Sequence, residues 1–498
     1  MKKVIIIGSG LGGLSCGLIL SRNGYDVTVL EQGTQPGGCL QCFYRDGVKF
    51  ETGMHFIGSA DEGQVLNRLL RYLDVLDDIR LSRLDTTGYD VVSFLGRQFR
   101  FANGRQQFID TLAQDFPRHR QQLENYYDLV EKVAQASSLH SLRVADNDTT
   151  PLTMEYQMRS INDVLSEAID DELLRSVLAG NLPLYAAERD KTPFSTLAFV
   201  SEFYNQSSFR VVGGSDQIAT SLVRSIHRSG GEVLCRKRVT SIDCDDKRAV
   251  GVVTADETYY PADLVIAAIH PARLMELCRS SLLRPAYRNR VQSLPETVGG
   301  FSVYLRFKPH SVPYMNYNFY GYHQPSPWGC EEYSAQDWPK GYLYMHFCSQ
   351  EYQQWAEGGV ILSYMRYEEV ERWKGTHVGH RGADYGQMKK ERAERLIEAV
   401  CQEFPELRSS IAGYETSTPL TYFDYTGTES GSMYGIAKDI RLGQTSRVHH
   451  RTKIPNLLLT GQNINSHGIL GVLVGTVVTC SELLTSERIF NDILKANT

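Results

Sequence analysis

Residues 2–33, KKVIIIGSGLGGLSCGLILSRNGYDVTVLEQG, leave few folds open to this chain. Residues 4–7 are a short continuous apolar run, as in a strand buried on both faces. Gly8, Gly10 and Gly13 then fall at the G-x-G-x-x-G spacing. Leu11, Leu14, Leu18 and Leu20 give the following segment an apolar face, and residues 26–30 read as a second strand ending on Glu31. Each glycine has a separate task. Gly8 lets the chain turn out of the strand, Gly10 lets the backbone approach a pyrophosphate, and Gly13 lets the helix pack close to the strand. The free N–H groups at the helix start favour an anion. Glu31, 23 residues after Gly8, is placed to accept hydrogen bonds from a ribose. A lone glycine pattern is weak, and the alternative is a glycine-rich turn in some other α/β protein. Strand, helix, second strand and terminal acid together make the dinucleotide reading strong.

The 498 residues suffice for two or three domains, and 42% hydrophobic with 22% charged is ordinary for a globular protein. A net charge of −6 argues against nucleic-acid binding, which calls for a basic excess. The ten cysteines show no repeating framework, which points to reduced thiols. Cys39 and Cys42 form the one C-x-x-C; with no second pair at zinc spacing, no metal site is expected, and a redox pair is a minor alternative. Lys2 and Lys3 precede an apolar run that glycine soon breaks, so no signal peptide is expected. The longest membrane-span candidate, residues 468–480, is too short and too glycine-rich. The expected location is cytoplasmic, with peripheral membrane contact left open.

Further along, Pro36-Gly37-Gly38 is a second glycine turn, close to the first in any nucleotide fold of this kind. Residues 48–58 alternate around Phe50 and carry His55 between Met54 and Phe56; such a histidine is commonly a satisfied core residue. Helical spacing is read at 62–80, 105–136 and 160–180, and β-like spacing at 88–101. Residues 209–231 return to the opening style, with Gly213 and Gly214 before an amphipathic helix, and 262–268 reads as another buried parallel strand. The aromatic stretch 314–344 is either a sheet core or the wall of an apolar ligand site. Residues 382–404 form a charged amphipathic helix, while 413–442 read as loop. The close is a strand at 456–460, a turn at Gly461-Gln462-Asn463, and a helix over 469–484 whose Gly471 and Gly475 leave one face bare for a helix or a flat ring.

Together GSGLGG at 8–13, Glu31, PGG at 36–38, FETGMHFIG at 50–58, VVGGSDQIA at 211–219, ADLVIAA at 262–268, TPLTYFDY at 418–425, MYG at 433–435 and NLLLTGQNINSHGILGVLVG at 456–475 resemble a known family. The chain is similar to FAD-dependent amino-oxidase-type flavoproteins, in the branch of phytoene desaturases, carotenoid isomerases and retinol saturases. The look is nearest to retinol saturases. The resemblance implies an α/β architecture: a discontinuous Rossmann-like FAD-binding domain (1–75, 205–285 and 415–498) plus a mixed-sheet substrate domain with helical insertions (76–204 and 286–414). It implies Gly8, Gly10 and Gly13 on the FAD pyrophosphate, Glu31 on the ribose, and Gly37 and Gly38 along the cofactor. Val239 would flank the adenine, Gly461, Gln462 and Asn463 would hold the pyrophosphate and ribityl chain, and Gly468 to Gly471 would pass beneath the isoalloxazine. His55 and His467 would stand nearest the reactive ring as catalytic candidates.

No second G-x-G-x-x-G appears with its own βαβ frame, so a nicotinamide donor, NAD(P)H, would visit the flavin only transiently. The expected reaction is FAD-dependent saturation or desaturation of C=C bonds in a hydrophobic polyene or isoprenoid. The alternatives are redox-neutral cis–trans isomerisation of a polyene, a non-catalytic flavin-containing lipid-binding protein, and oxidation of a polar amine.

Overall fold

The computed structural model describes residues 1–137, 142 and 151–498. The opening stretch forms the strand Lys3–Ile7, the helix Leu11–Arg22 and the strand Asp26–Leu30. These strands belong to a five-stranded sheet in the order Glu232–Leu234, Asp26–Leu30, Lys3–Ile7, Leu264–Ala267, Leu457–Leu459. All four pairings are parallel. A parallel sheet is covered on both faces, and alternate residues of Lys3–Ile7 show it. Val4 and Ile6 join a core with Leu14, Leu18, Leu222 and Val474. Ile5 and Ile7 join a different core with Val239, Val252 and Leu459. The helices Leu11–Arg22, Asp216–Arg228 and Gly468–Leu484 cover the first face. The antiparallel trio Val239–Cys244, Ala249–Thr254 and Tyr259–Pro261 covers the second. Strand order turns back on either side of Lys3–Ile7, so the crevice at its carboxyl end lies at a topological switch point, where such sheets bind ligands.

The larger sheet has seven strands in the order Ile411–Ser417, Gly299–Phe307, Gly358–Met365, Gly341–His346, Asn318–Tyr322, Asp90–Phe94, Arg97–Phe101. Only the pairing of Asn318–Tyr322 with Asp90–Phe94 is parallel. One face carries Tyr304, Tyr320, Leu343, Met345 and Val360, packed with residues of the helices Arg105–Asp115, Arg120–Gln135 and Phe194–Gln206. The other carries Phe301, Phe319, Tyr342, Tyr344 and Ile361, packed against the helix Ala383–Cys401. Most of the aromatic stretch at 314–344 is therefore core, and alternation along one strand separates its two faces. A short sheet built on Ser208–Val211, flanked by Ile57–Gly58 and Leu81–Arg83, joins the two layers.

Three sequence readings change. The helix expected over 62–80 is shorter, Val65–Tyr72, because Asp74 takes a left-handed conformation (φ 55°) just beyond it. The stretch 413–442 is not all loop. It holds most of the strand Ile411–Ser417, and then a helix, Pro419–Thr426, started by a Thr418 capping box and stopped by left-handed Gly427. Gly471 is bare for a different neighbour, the preceding loop: a Cβ there would come within 2.6 Å of the Ser466 side chain. Residues 138–141 and 143–150 of the expected 76–204 segment lie outside the described residues. Among the described residues no single helix is long and apolar enough to cross a membrane, and most of Gly468–Leu484 is buried in the core.

The seat of the first helix is tight. A Cβ on Gly13 would overlap the Gly8 carbonyl oxygen and lie 3.0 Å from the Ala268 Cβ. Gly13→Ala must push the helix off the strand, and should lower stability by roughly 1–3 kcal/mol in denaturant unfolding.

Candidate active site

The glycine turn opens the site. Gly8 takes φ +96°, its N–H donates to the Leu30 carbonyl at 2.8 Å, and Gly10 begins the helix with no side-chain cap. The second glycine turn lies against the first: Gly37 N–H donates to the Ser9 carbonyl at 2.9 Å. A Cβ on Gly38 would sit 3.1 Å from the Gly10 Cα, whereas one on Gly10 would meet nothing within 4 Å. The space in front of Gly10 is cavity. Glu31 is held at the end of its strand, with Oε2 accepting from Ser9 N–H (3.1 Å) and the Ser9 hydroxyl, and Oε1 from Gly33 N–H (2.7 Å). The third turn, at Gly461, packs on the first helix, where a Cβ on Gly12 would come 3.1 Å from the Gly461 Cα.

These turns line one cavity of about 810 Å³, near the upper end of the roughly 300–1,000 Å³ usual for ligand sites. Gly8, Gly10, Gly13, Glu31, Gly37, Gly38, Val239, Gly461, Gln462, Asn463, Gly468 and His55 all border it. One part of its wall is apolar and aromatic, with Phe56, Tyr204, Leu343, Met345, Tyr422 and Tyr434, and another carries charged side chains such as Lys237, Arg238 and Arg273. A cradle open at Gly10, Gly461 and Gly468, two uncapped helix starts and a greasy far chamber fit a flavin dinucleotide with an apolar partner at its ring end. Asn463 shapes the wall through its side chain, whose Oδ1 accepts from Ile436 N–H at 2.8 Å and fills the notch beside Gly435.

The two candidate histidines part company. His55 borders the cavity, with Nδ1 3.7 Å from Glu51 Oε2. His467 does not border it. It is the residue before the helix Gly468–Leu484, its ring packs 4.7 Å from that of Tyr434, and its Nε2 has no hydrogen-bond partner. Burial and the nearby Lys438 charge push its pKa down to about 4, so it is neutral near neutral pH. Tyr434, not His467, is the residue that the cavity meets. Gly471 also stays out of the wall, engaged by Ser466. Cys39 borders the cavity, but burial pushes its pKa up to about 11 and that of Cys42 to about 12. Both cysteines are free, and both stay protonated as unreactive thiols.

Sequence reasoning missed Glu51 and Arg210. Glu51 ends the strand Val48–Glu51 and is buried next to His55. Arg210 is 2% exposed in a central strand and donates to the His55 carbonyl at 3.4 Å. A charged residue in a strand is normally read as solvent-facing, so no pattern marked it.

A family model described as flavin containing amine oxidoreductase matches residues 11–474. The chain is 27% identical to the all-trans-retinol 13,14-reductase of Rattus norvegicus, across 98% of this chain and 86% of that protein. It is 24% identical to prolycopene isomerase 1, chloroplastic, of an Oncidium hybrid cultivar, across 97% of this chain and 84% of that protein. The crystal structure of an oxidoreductase from Methanosarcina mazei is similar with a TM-score of 0.63 at 17% identity, covering 96% of this chain and 100% of that one. That likeness speaks for the fold.

The open space at Gly10 separates cofactor binding from folding. Gly10 has φ −62°, which alanine adopts freely. Gly10→Ala should leave the stability of the cofactor-free protein within about 0.5 kcal/mol of the parent. Loss of flavin absorbance from the purified variant, the expected outcome, would put the cofactor in the space that the new methyl fills.

Proposed function

The chain belongs to the flavin containing amine oxidoreductase family, and we propose that it is an FAD-dependent oxidoreductase that saturates or desaturates C=C bonds of a hydrophobic polyene or isoprenoid. The observation that carries this reading is the make-up of this cavity: glycine turns at one part, an apolar and aromatic chamber at another, and His55 in its wall. The likeness to a retinol 13,14-reductase over nearly the whole chain supports the substrate class and favours saturation.

The charges of the cavity speak against a polar amine. Its bordering carboxylates are Glu31, Glu276 and Asp424. Glu31 is bound by Ser9 and Gly33, Glu276 pairs with Arg273 at 2.9 Å, and Asp424 pairs with Arg381. All three are engaged, so none is free to receive an ammonium group. Among the bordering phenols, Tyr204, Tyr422 and Tyr434 are pushed well up by burial and stay protonated. They offer rings and O–H dipoles, not charge, to a substrate.

In this reading Gly8, Gly10 and Gly13 seat the pyrophosphate, Glu31 meets the ribose and Val239 flanks the adenine. Gly461, Gln462 and Asn463 hold the ribityl side, and Gly37, Gly38 and Gly468 lie along the cofactor. The bound flavin supplies the two-electron exchange. The chamber of Leu343, Met345, Leu362 and the three tyrosines holds the double bond and keeps water out. His55 gives or takes the proton that accompanies hydride transfer to or from a C=C bond. His467 acts indirectly, by supporting Tyr434. The segments 1–75, 205–285 and 415–498 carry the cofactor, and 76–204 with 286–414 carry the substrate. With no second nucleotide motif to hold it, NAD(P)H would serve as electron donor only through a transient visit.

A second reading, isomerisation without net redox change, is supported by the likeness to a prolycopene isomerase. Mass decides between them. Anaerobic incubation of the reduced holoenzyme with an all-trans polyene alcohol should yield a product heavier by two hydrogens, with reoxidation of the flavin. Unchanged mass with altered geometry would favour isomerisation, and no change of either kind would overturn both. His55→Gln should keep its flavin and slow the reaction by about 10²–10⁴-fold, the usual contribution of a general acid or base.

A further inference from the structure

We propose that Glu51, set by the buried Arg210, is the positioning residue for His55: its carboxylate faces Nδ1 and directs Nε2 of the imidazole toward the substrate chamber. This rests on the polyene reading above, in which His55 handles the proton.

The geometry is specific. Glu51 closes the strand Val48–Glu51, and residues 52–54 turn the chain so that His55 comes back beside it. The two side chains are 7% and 15% exposed, with Glu51 Oε2 3.7 Å from His55 Nδ1. That is longer than a hydrogen bond, but catalytic pairs often tighten only when the ligands are in place. Beside His55, the Glu51 carboxylate meets the Ser215 backbone amide. Glu51 Oε1 and His55 Nδ1 are both buried without a hydrogen-bond partner. A buried carboxylate left half-satisfied lowers stability, so folding alone gives no reason for an acid here.

Arg210 supplies the reason. Its guanidinium donates to three oxygens, the carbonyls of His55 (3.4 Å) and Tyr317 (3.0 Å) and the Asn318 side chain (3.0 Å). Asn318 in turn donates to Asp90 at 2.8 Å. The arginine therefore ties the backbone of His55 to the seven-stranded sheet, and its charge acts on Asp90 on one side and Glu51 on the other. The groups facing Glu51 are His55, Arg210, the Ser215 backbone amide and the thiols of Cys42 and Cys348. Burial pushes both thiols up, so they carry no charge. Burial also raises the pKa of Glu51, while His55 and Arg210 pull it back. With the acid on Nδ1, Nε2 is the nitrogen left to face the chamber, the orientation logic shared by other acid–histidine pairs.

The test uses the flavin-loaded enzyme. Glu51→Gln keeps the volume and removes the charge. It should retain flavin, slow polyene-dependent reoxidation of the reduced flavin by about tenfold or more, and remove one ionisation from the pH profile of that rate. In a His55→Gln background the same change should add nothing, because the two residues act as a unit. A Glu51→Gln enzyme with the parent rate and pH profile, or one whose effect is additive with His55→Gln, would overturn the proposal. Nitrogen-15 NMR of the parent holoenzyme, with His55 assigned by its loss in His55→Gln, gives a readout that needs no Glu51 variant. A proton fixed on Nδ1 supports the pairing, and a neutral ring protonated only on Nε2 overturns it. If the parent enzyme reacts with no polyene, the functional reading fails by itself, and the NMR result still decides the pairing.

Discussion

The constraint on which the cofactor half depends is the close approach of Gly13 to the turn it faces. The first helix sits so near the first strand that the Gly8 carbonyl leaves no room for a methyl group at Gly13. That seat aims the uncapped start of the helix along the crevice at the end of the central parallel strand. The second glycine turn then docks on the first through the Gly37 to Ser9 hydrogen bond, and the third rests on the same helix at Gly12. Three segments far apart in sequence thus meet around one cavity. Open space is left at Gly10 because the neighbouring glycines are spent on packing and Gly10 is not.

The rest of the structure keeps the far part of that cavity apolar while allowing a few buried polar groups. Leu343 and Met345 reach the cavity because strand alternation sends Tyr342 and Tyr344 to the opposite core. His346 is also buried, with Nδ1 accepting from Met315 N–H at 2.9 Å and Nε2 2.6 Å from the Tyr344 hydroxyl. Burial and the Arg210 charge push its pKa down to about 3, and a ring held neutral by two partners is structural. Arg210 differs, since its bonds span from the His55 loop to the large sheet.

The parts of the chain that obey one local rule were legible in the sequence. Glycine spacing, a buried apolar run and a terminal acid at 2–33 described the nucleotide half before any coordinates, and the family resemblance described the class of enzyme. Illegible parts depend on distant partners. The strand Ile411–Ser417 pairs only at the edge of its sheet and is half exposed, so no apolar run announced it. The bareness of Gly471 was read toward a ring, whereas the loop at Ser466 fills it. His467 sits in a glycine-rich turn beside cavity-lining residues, yet Tyr434 packs on its ring and meets the cavity instead. Arg210 was not marked, and Glu51 stood inside the quoted stretch 50–58 without being singled out, because a buried charge is recognisable only from the groups that surround it.

The central proposal is directional: the dinucleotide would lie with its pyrophosphate at Gly10 and its reactive ring at His55. A crystal structure of the yellow, flavin-loaded protein tests this directly. The account predicts density for one FAD per chain, with phosphate oxygens against the Gly10 amide and the isoalloxazine bordered by His55 and Tyr434. A ring at the Glu31 end, or a flavin bound outside this cavity, would contradict it.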